Sequence, residues 1–294
     1  MTPDQIRLII LKAIFSNEEL EEILTLKGGN ALKLYGVTER QSQDLDFSIK
    51  ETVRLSKNRH EGLFYSVLES EFEKNHYKLI NFRFTEVPSK RQDNIPDFWG
   101  GYKIEFSIIH TNKFDQLSKS QLKNINAFAE SIEGDKKRIQ IDLSFDEYTD
   151  TRQAKEVDGV SIYLYTPLMI VYEKIRASCQ QLPDYHLSRD KKRSRDLYDI
   201  YILLSNIKYI TLYDEILNPD NFYILEKMFS LKNVDIDLIP KIPTIKEELE
   251  HDYHTRVLPQ IPVDQSSPSF QFLFEYTTEL FSELYQNVIK KRKK

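Results

Sequence analysis

The chain has 294 residues, carries 46 Asp and Glu against 41 Lys and Arg for a formal charge of −5, and is 40% hydrophobic. That length accommodates two domains with cores of their own, and the slightly acidic balance excludes recruitment of nucleic acid by an overall basic field, so any polynucleotide contact must come from a local patch. Cys179 is the single cysteine, which excludes an internal disulfide and a cysteine-rich zinc site and points to a reduced, cytoplasmic setting. Thr2 and Pro3 start an amphipathic helix reaching Phe15; its apolar run carries Arg7 and Lys12, is too short to span a bilayer and lacks a signal-peptide layout, so no membrane role is expected. Asn17 caps a second helix with Glu18 and Glu19 in its first turn. Leu24 to Lys27 reads as extended, and Gly28 and Gly29 turn into a helix from Asn30 to Tyr35. Strands are expected at Asp44–Ile49, Tyr77–Thr85, Tyr102–Ile109, Arg138–Phe145 and Gly159–Tyr165, with helices at His60–Lys74 and Gln116–Ser131. Trp99, in DFWGGY, marks a hairpin or loop before the Tyr102 strand. From Thr166 and Pro167 onward the pattern is largely helical, ending in a charged, solvated helix end. The boundary falls near residue 160.

The sharpest chemical signal is the pair Asp44 and Asp46. On a strand they share one side while Leu45, Phe47 and Ile49 point to the core. Two hard anionic ligands side by side suit Mg²⁺, and a glycine turn at a helix start offers backbone N–H groups to phosphate. A lone Asp-x-Asp would more often be a solvated strand face; here it follows Arg40, Ser42 and the glycine turn, which favours a site. If two metals are to clamp an in-line displacement, a third carboxylate is wanted, and Asp142 is the candidate, since it shares its strand face with Gln140 and Ser144. Gly28, Gly29 and Asn30 are the candidate phosphate holders, against the alternative of a plain tight turn.

Downstream, Lys174 lies on a helix with an apolar stripe of Leu168, Val171 and Ile175, where it either snorkels or neutralises phosphate charge in a transition state. Asp196 and Asp199 stand one turn apart on a following helix. They are either its wet face or a pair that pins Lys174 or Arg195. The basic run Arg189, Lys191, Lys192, Arg193 and Arg195 ahead of that helix is a solvated surface or a phosphate-backbone contact. His251 and His254 at i and i+3 lack the further ligands a metal site needs.

Four ordered pieces, KGGNAL, RQSQDLDFSI, YEKIRAS and RSRDLYDIYIL, together resemble the AbiEii family of nucleotidyltransferase toxins, the toxin half of type IV abortive-infection toxin-antitoxin systems within the DNA polymerase β superfamily. The resemblance runs from about residue 20 to about residue 205. It implies an α+β fold, in which a nucleotidyltransferase core over residues 1–160 with a mixed sheet and flanking helices is followed by a mostly helical domain over 161–294, with an active cleft between them. It also implies that Gly28, Gly29 and Asn30 hold phosphate, that Asp44 and Asp46 bind metal, and that Lys174 and Asp196 complete the site. Asn30 stands where many members of the family carry Ser or Thr; its amide can still donate a hydrogen bond.

The expected protein is therefore a Mg²⁺-dependent (or Mn²⁺-dependent) enzyme that transfers a nucleotide from an NTP to an RNA, preferably tRNA, hydroxyl, in a toxin-antitoxin or phage-defence setting with an antitoxin partner. In that reading Asp44, Asp46 and Asp142 serve metal or base, Lys174 and Asp196 complete the catalytic set, and Gly28, Gly29, Asn30, Arg40, Ser42, Lys174 and Arg195 hold the nucleotide. The alternatives are nucleotidylation of a small molecule or a protein side chain, and a non-catalytic NTP-binding module.

Overall fold

The computed structural model describes residues 1–38, 44–89, 95–132, 134–188, 192–261 and 267–293. In chain order the elements are α1 (Pro3–Phe15), α2 (Glu18–Ile23), β1 (Leu24–Lys27), α3 (Gly28–Leu34), β2 (Leu45–Lys50), α4 (Lys57–Lys74), β3 (Tyr77–Val87), β4 (Gly101–His110), α5 (Thr111–Asp115), α6 (Lys119–Leu122), β5 (Ile139–Glu147), β6 (Gln153–Val157) and β7 (Val160–Leu164). There follow α7 (Pro167–Cys179), α8 (Arg195–Leu204), α9 (Leu212–Leu217), α10 (Phe222–Ser230), α11 (Lys246–Asp252) and α12 (Phe270–Arg292), with short 3₁₀ segments between several of them. The fold is thus α+β, a mixed sheet with flanking helices and then a helical region. The chain forms two compact units: Met1–Leu26, Gln43–Thr149 and Gln153–Leu164 in the first, and Lys27–Ser42, Asp150–Arg152 and Tyr165–Lys294 in the second.

In the first unit a seven-stranded sheet runs in the order β3-β4-β5-β2-β1-β7-β6. The inner pairs β2–β5 and β1–β7 are parallel, whereas β3–β4, β4–β5 and β6–β7 are antiparallel. The parallel pairs need long crossovers, and the helix-bearing segments supply them. Local signals place the helices: Thr2 and Gln5 form a capping box at α1, and Asn17 accepts from the Leu20 N–H at 3.1 Å to start α2. Along α4 the buried residues are His60, Phe64, Leu68 and Phe72, a single stripe at four-residue spacing. That stripe covers the sheet through Phe64 stacked on Phe84 and Phe72 edge-on to Phe106, with centroids 5.7 Å apart in both cases.

Two expectations change. The helix expected over Gln116–Ser131 is reduced to α6 and a 3₁₀ turn at Ile125–Phe128. Ser118 explains part of this, because it starts a new helix with its own capping box to Gln121. The sequence reading also lacked β6, whose exposed, mostly polar residues pair with β7 at the sheet edge.

Gly101 answers to close packing rather than to a turn. A Cβ there would lie 1.7 Å from the Leu143 carbonyl oxygen, so β4 reaches β5 at this point only without a side chain.

In the second unit α7 is buried at every residue from Leu168 to Cys179. The amphipathic stripe read from the sequence is therefore part of a helix enclosed all round, packed by α8, α10 and the 3₁₀ segment Ile236–Ile245. Among the described residues no helix is long and apolar enough to cross a membrane.

Candidate active site

The first unit carries the carboxylates. Strand β5 alternates strictly, with Ile139, Ile141, Leu143 and Phe145 buried and Gln140, Asp142, Ser144 and Asp146 half-buried on the other face. In β2, Leu45, Phe47 and Ile49 are buried and Asp46 half-buried; Ser48 is buried too, as befits an inner strand. Parallel pairing sets Asp46 directly beside Asp142, and Lys103 of β4 stands opposite Asp142 on its other flank. Paired positions in register project to the same face, about 4.8 Å apart between neighbouring strands, so Asp46, Asp142 and Lys103 form one row. Asp44, expected as the first residue of this strand, instead lies in the bend just before it.

Polar partners hold these groups. Lys136 Nζ lies 3.3 Å from Asp44 Oδ1, Gln140 Nε2 donates to Asp142 Oδ2 at 2.7 Å, and Lys103 Nζ is 4.0 Å from Asp142 Oδ1. The donor set is hard oxygen on a half-exposed surface, already matched to positive charge by two ammonium groups, and it suits a divalent cation in chemistry. Among the described residues no three His, Cys, Asp or Glu side chains gather closely enough to hold a metal.

The second unit carries the remaining candidates. Gly28 has φ of +67°, a conformation glycine adopts without strain, and opens α3 immediately after β1. Gly29 continues the helix, while Asn30 is buried within it. Arg40, Ser42, Arg189 and Lys191 lie outside the described residues.

Lys174 does not snorkel. It is 3% exposed, and its ammonium donates to Asp196 Oδ1 at 3.1 Å and to Asp199 Oδ2 at 2.7 Å, with Asp196 and Asp199 themselves 0% and 1% exposed. Both aspartates of α8 therefore contact the lysine, and neither belongs to a wet face. Burial alone would lower the Lys174 pKa, yet Asp199 and Asp196 more than offset it and hold it above the ordinary lysine value. Burial pushes Asp196 upward, but Arg193, Lys174 and Arg195 bring it down to about 2. Lys174 and Asp196 are therefore both charged in the neutral range.

Two further contacts organise the start of α8. Arg193 Nε is 3.0 Å from Asp196 Oδ2. The Ser194 backbone N–H and hydroxyl both donate to Asp252 Oδ2, at 2.9 and 2.8 Å. Arg195 is exposed. Sequence reasoning missed Lys103, Lys136 and Asp252 as partners of the candidate residues. Lys136 had a faint signal in the basic run just before β5, whereas Lys103 and Asp252 come from strand register and tertiary packing.

The first unit thus carries a carboxylate row on a mixed sheet, and the helical region of the second a buried Lys–Asp–Asp triad. Over residues 9–276 the chain matches the family described as nucleotidyl transferase AbiEii toxin, type IV TA system, and it belongs to that family. Family membership makes it a nucleotidyltransferase enzyme with a nucleoside triphosphate as substrate and an antitoxin as partner. Comparison with curated proteins found no match. Among solved structures, the JHP933 protein of Helicobacter pylori is 16% identical, with 98% of this chain and 93% of that one covered at a TM-score of 0.49. A candidate nucleotidyltransferase of H. pylori gives 16% identity, 98% and 95% coverage and the same TM-score of 0.49. An antigenic nucleotidyltransferase-like protein of Paracoccidioides brasiliensis is 14% identical over 76% of this chain and 92% of that one, at 0.33.

Proposed function

We propose that this chain is a Mg²⁺-dependent nucleotidyltransferase toxin, Mn²⁺ being the alternative ion, that transfers NMP from an NTP to a hydroxyl of RNA, with tRNA as the preferred acceptor. The observation that carries this reading is the register of Asp46 beside Asp142, with Asp44 just ahead of β2. Asp44 and Asp46 would hold the ion, which supplies charge neutralisation at the α-phosphate when bound. The acceptor hydroxyl oxygen forms a bond to the α-phosphorus, the bond from that phosphorus to the α–β bridging oxygen breaks, and pyrophosphate leaves with the electron pair. Asp142 takes the hydroxyl proton on Oδ1, since Oδ2 already accepts from Gln140. Backbone N–H groups of Gly28 and Gly29 hold phosphate, with Asn30, Arg40 and Ser42 as the other nucleotide contacts carried by the family motifs. Lys174 acts by holding Asp196 and so the turn that presents Arg193 and Arg195, because two of its three protons are already engaged. The biological outcome in this reading is growth arrest during abortive infection, a form of phage defence, relieved by the antitoxin in the cytoplasm.

The test is incubation of the purified protein with each α-phosphate-labelled NTP, Mg²⁺, total RNA and a protein extract. Label from a particular NTP appearing in RNA is the expected result. Label only in protein or in a small-molecule fraction would replace the acceptor, and NTP binding with no transfer to any fraction would overturn the catalytic reading.

A further inference from the structure

The start of α8 is built in an unusual way. A serine just before a helix ordinarily has extended backbone angles and accepts an N–H of the first turn on its hydroxyl. Ser194 does neither: its φ and ψ are −60° and −18°, and its side chain caps nothing in α8. Its hydroxyl and its backbone N–H both donate instead to Asp252 Oδ2, at 2.8 and 2.9 Å, and the two residues are 0% and 7% exposed. The preceding residue is tied from another side, since the Arg193 N–H donates at 2.8 Å to Oε1 of Gln181, a buried residue just past the end of α7. Two buried side chains from different parts of the chain thus fix two consecutive peptide groups. The Asp252 end is anchored by packing. Asp252 closes α11, and the next residue, Tyr253, is 1% exposed, packs on the Phe270 ring and donates its hydroxyl to the Pro268 carbonyl at 2.7 Å. The turn before α8 therefore sits where α11 holds it.

What this anchoring fixes is the placement of the arginines on either side of Ser194. Arg193 is spent inside the protein, with Nε 3.0 Å from Asp196 Oδ2, whereas Arg195 is exposed. Arg193, Arg195 and Asp252 line a cavity of about 330 Å³, so the turn borders open space and is not sealed in the interior. The two Ser194 donors require an acceptor oxygen and not a charge. The charge of Asp252 meets Arg256, 3.3 Å from Oδ1, in a pair that solvent screens because the arginine is 58% exposed.

We infer that Asp252 is a positioning residue for the nucleotide: through Ser194 it fixes where Arg195 is offered to a phosphate of the nucleoside triphosphate. The inference rests on the reading of Arg195 as a nucleotide contact, and adds the residue of α11 on which that contact depends.

The test uses the full chain and measures equilibrium binding of α-phosphate-labelled ATP, CTP, GTP and UTP by filter retention with Mg²⁺ present, carrying the tightest-bound of them through the variants. Asp252→Ala should raise its Kd about tenfold, the effect of losing one charge-assisted hydrogen bond. Asp252→Asn, which keeps an acceptor for Ser194, should bind as wild type, and Ser194→Ala, which removes one of the two contacts, should raise Kd by a smaller factor. Arg195→Ala should weaken binding as Asp252→Ala does, and adding Asp252→Ala to it should cost little more, because a residue that acts through Arg195 then has nothing left to act on. Thermal unfolding sets a temperature at which each variant is folded. A lowered midpoint in Asp252→Ala with Kd unchanged would mark a purely structural contact and overturn the inference. So would an equal loss in Asp252→Asn, an unchanged Kd in Ser194→Ala, or losses that multiply in the double variant. Wild-type binding by Arg195→Ala, or no NTP bound by the wild type, would overturn the nucleotide reading of Arg195 and the inference with it. If the wild type binds an NTP but transfers it to no acceptor, the catalytic reading falls, while the expected pattern of Kd values still upholds the inference.

Discussion

Asp44 and Asp46 can be altered without touching the core, because their strand neighbours Leu45, Phe47 and Ile49 carry the packing. The ion pair of Asp44 with Lys136 joins side chains 41% and 35% exposed, and pairs at that exposure contribute about 0–1 kcal/mol. Asp44→Asn and Asp46→Asn are therefore expected to leave the denaturation midpoint nearly unchanged while lowering transfer by at least roughly 10²-fold, the loss of several kcal/mol of transition-state charge stabilisation. A folded variant with near wild-type turnover would remove these residues from the chemistry. Lys174 behaves oppositely. Replacing it by Met keeps the stem but strands Asp196 and Asp199 in the interior, at a cost of about 3–5 kcal/mol for breaking a buried pair. Urea denaturation should show that loss, and Lys174→Met/Asp199→Leu should cost less than the two single changes added together. Strict additivity would mean the triad is not coupled.

At the level of single elements, α8 and β4 give the clearest expectations. The Asp196 pKa near 2 lies below its unfolded value of about 3.9, so the stability it confers is complete above that unfolded value and is lost as pH falls through the folded one. Denaturation midpoints followed from pH 5 to pH 2 should fall in that window, and more weakly in Asp196→Asn, which has no charge to lose. An identical acid limb in the variant would assign the titration elsewhere. For β4, the 1.7 Å approach that a Cβ would make to Leu143 predicts that Gly101→Ala forces the β4–β5 ladder apart. A loss of about 1–3 kcal/mol or more in thermal unfolding is expected, together with disturbance of Asp142, which the same ladder positions opposite Lys103. Unchanged stability would show that the strands move apart without penalty.

For the whole molecule, the balance of charge decides what a metal does to stability. Lys136 and Lys103 already face the carboxylates, so the fold does not depend on a divalent ion for neutrality there. A chelator should abolish transfer while leaving the protein folded, and saturating Mg²⁺ should stabilise it only through binding linkage, by about 2.7 kcal/mol at a hundredfold excess over Kd. Unfolding on chelation would make the ion structural. Much of the architecture was legible in the chain itself because its causes are local. Thr2 and Thr166 with a following proline, Asn17, and the alternation along β5 each act within a few residues, and the structure has those helices and that strand. The half-buried setting of Asp46 between buried Leu45 and Phe47 was legible for the same reason, since a period of two follows from strand geometry alone. What only the tertiary structure decided is non-local. The pairing of β2 with β5 sets Asp142 beside Asp46 across more than ninety residues of chain, and no local preference specifies which strands become neighbours. The burial of Lys174 between two aspartates was equally hidden, because an amphipathic spacing looks the same whether the polar side meets water or a second helix carrying opposite charge. The sequence determined which residue types face together along each element; packing determined which faces meet, because that choice depends on burying apolar surface contributed by distant segments.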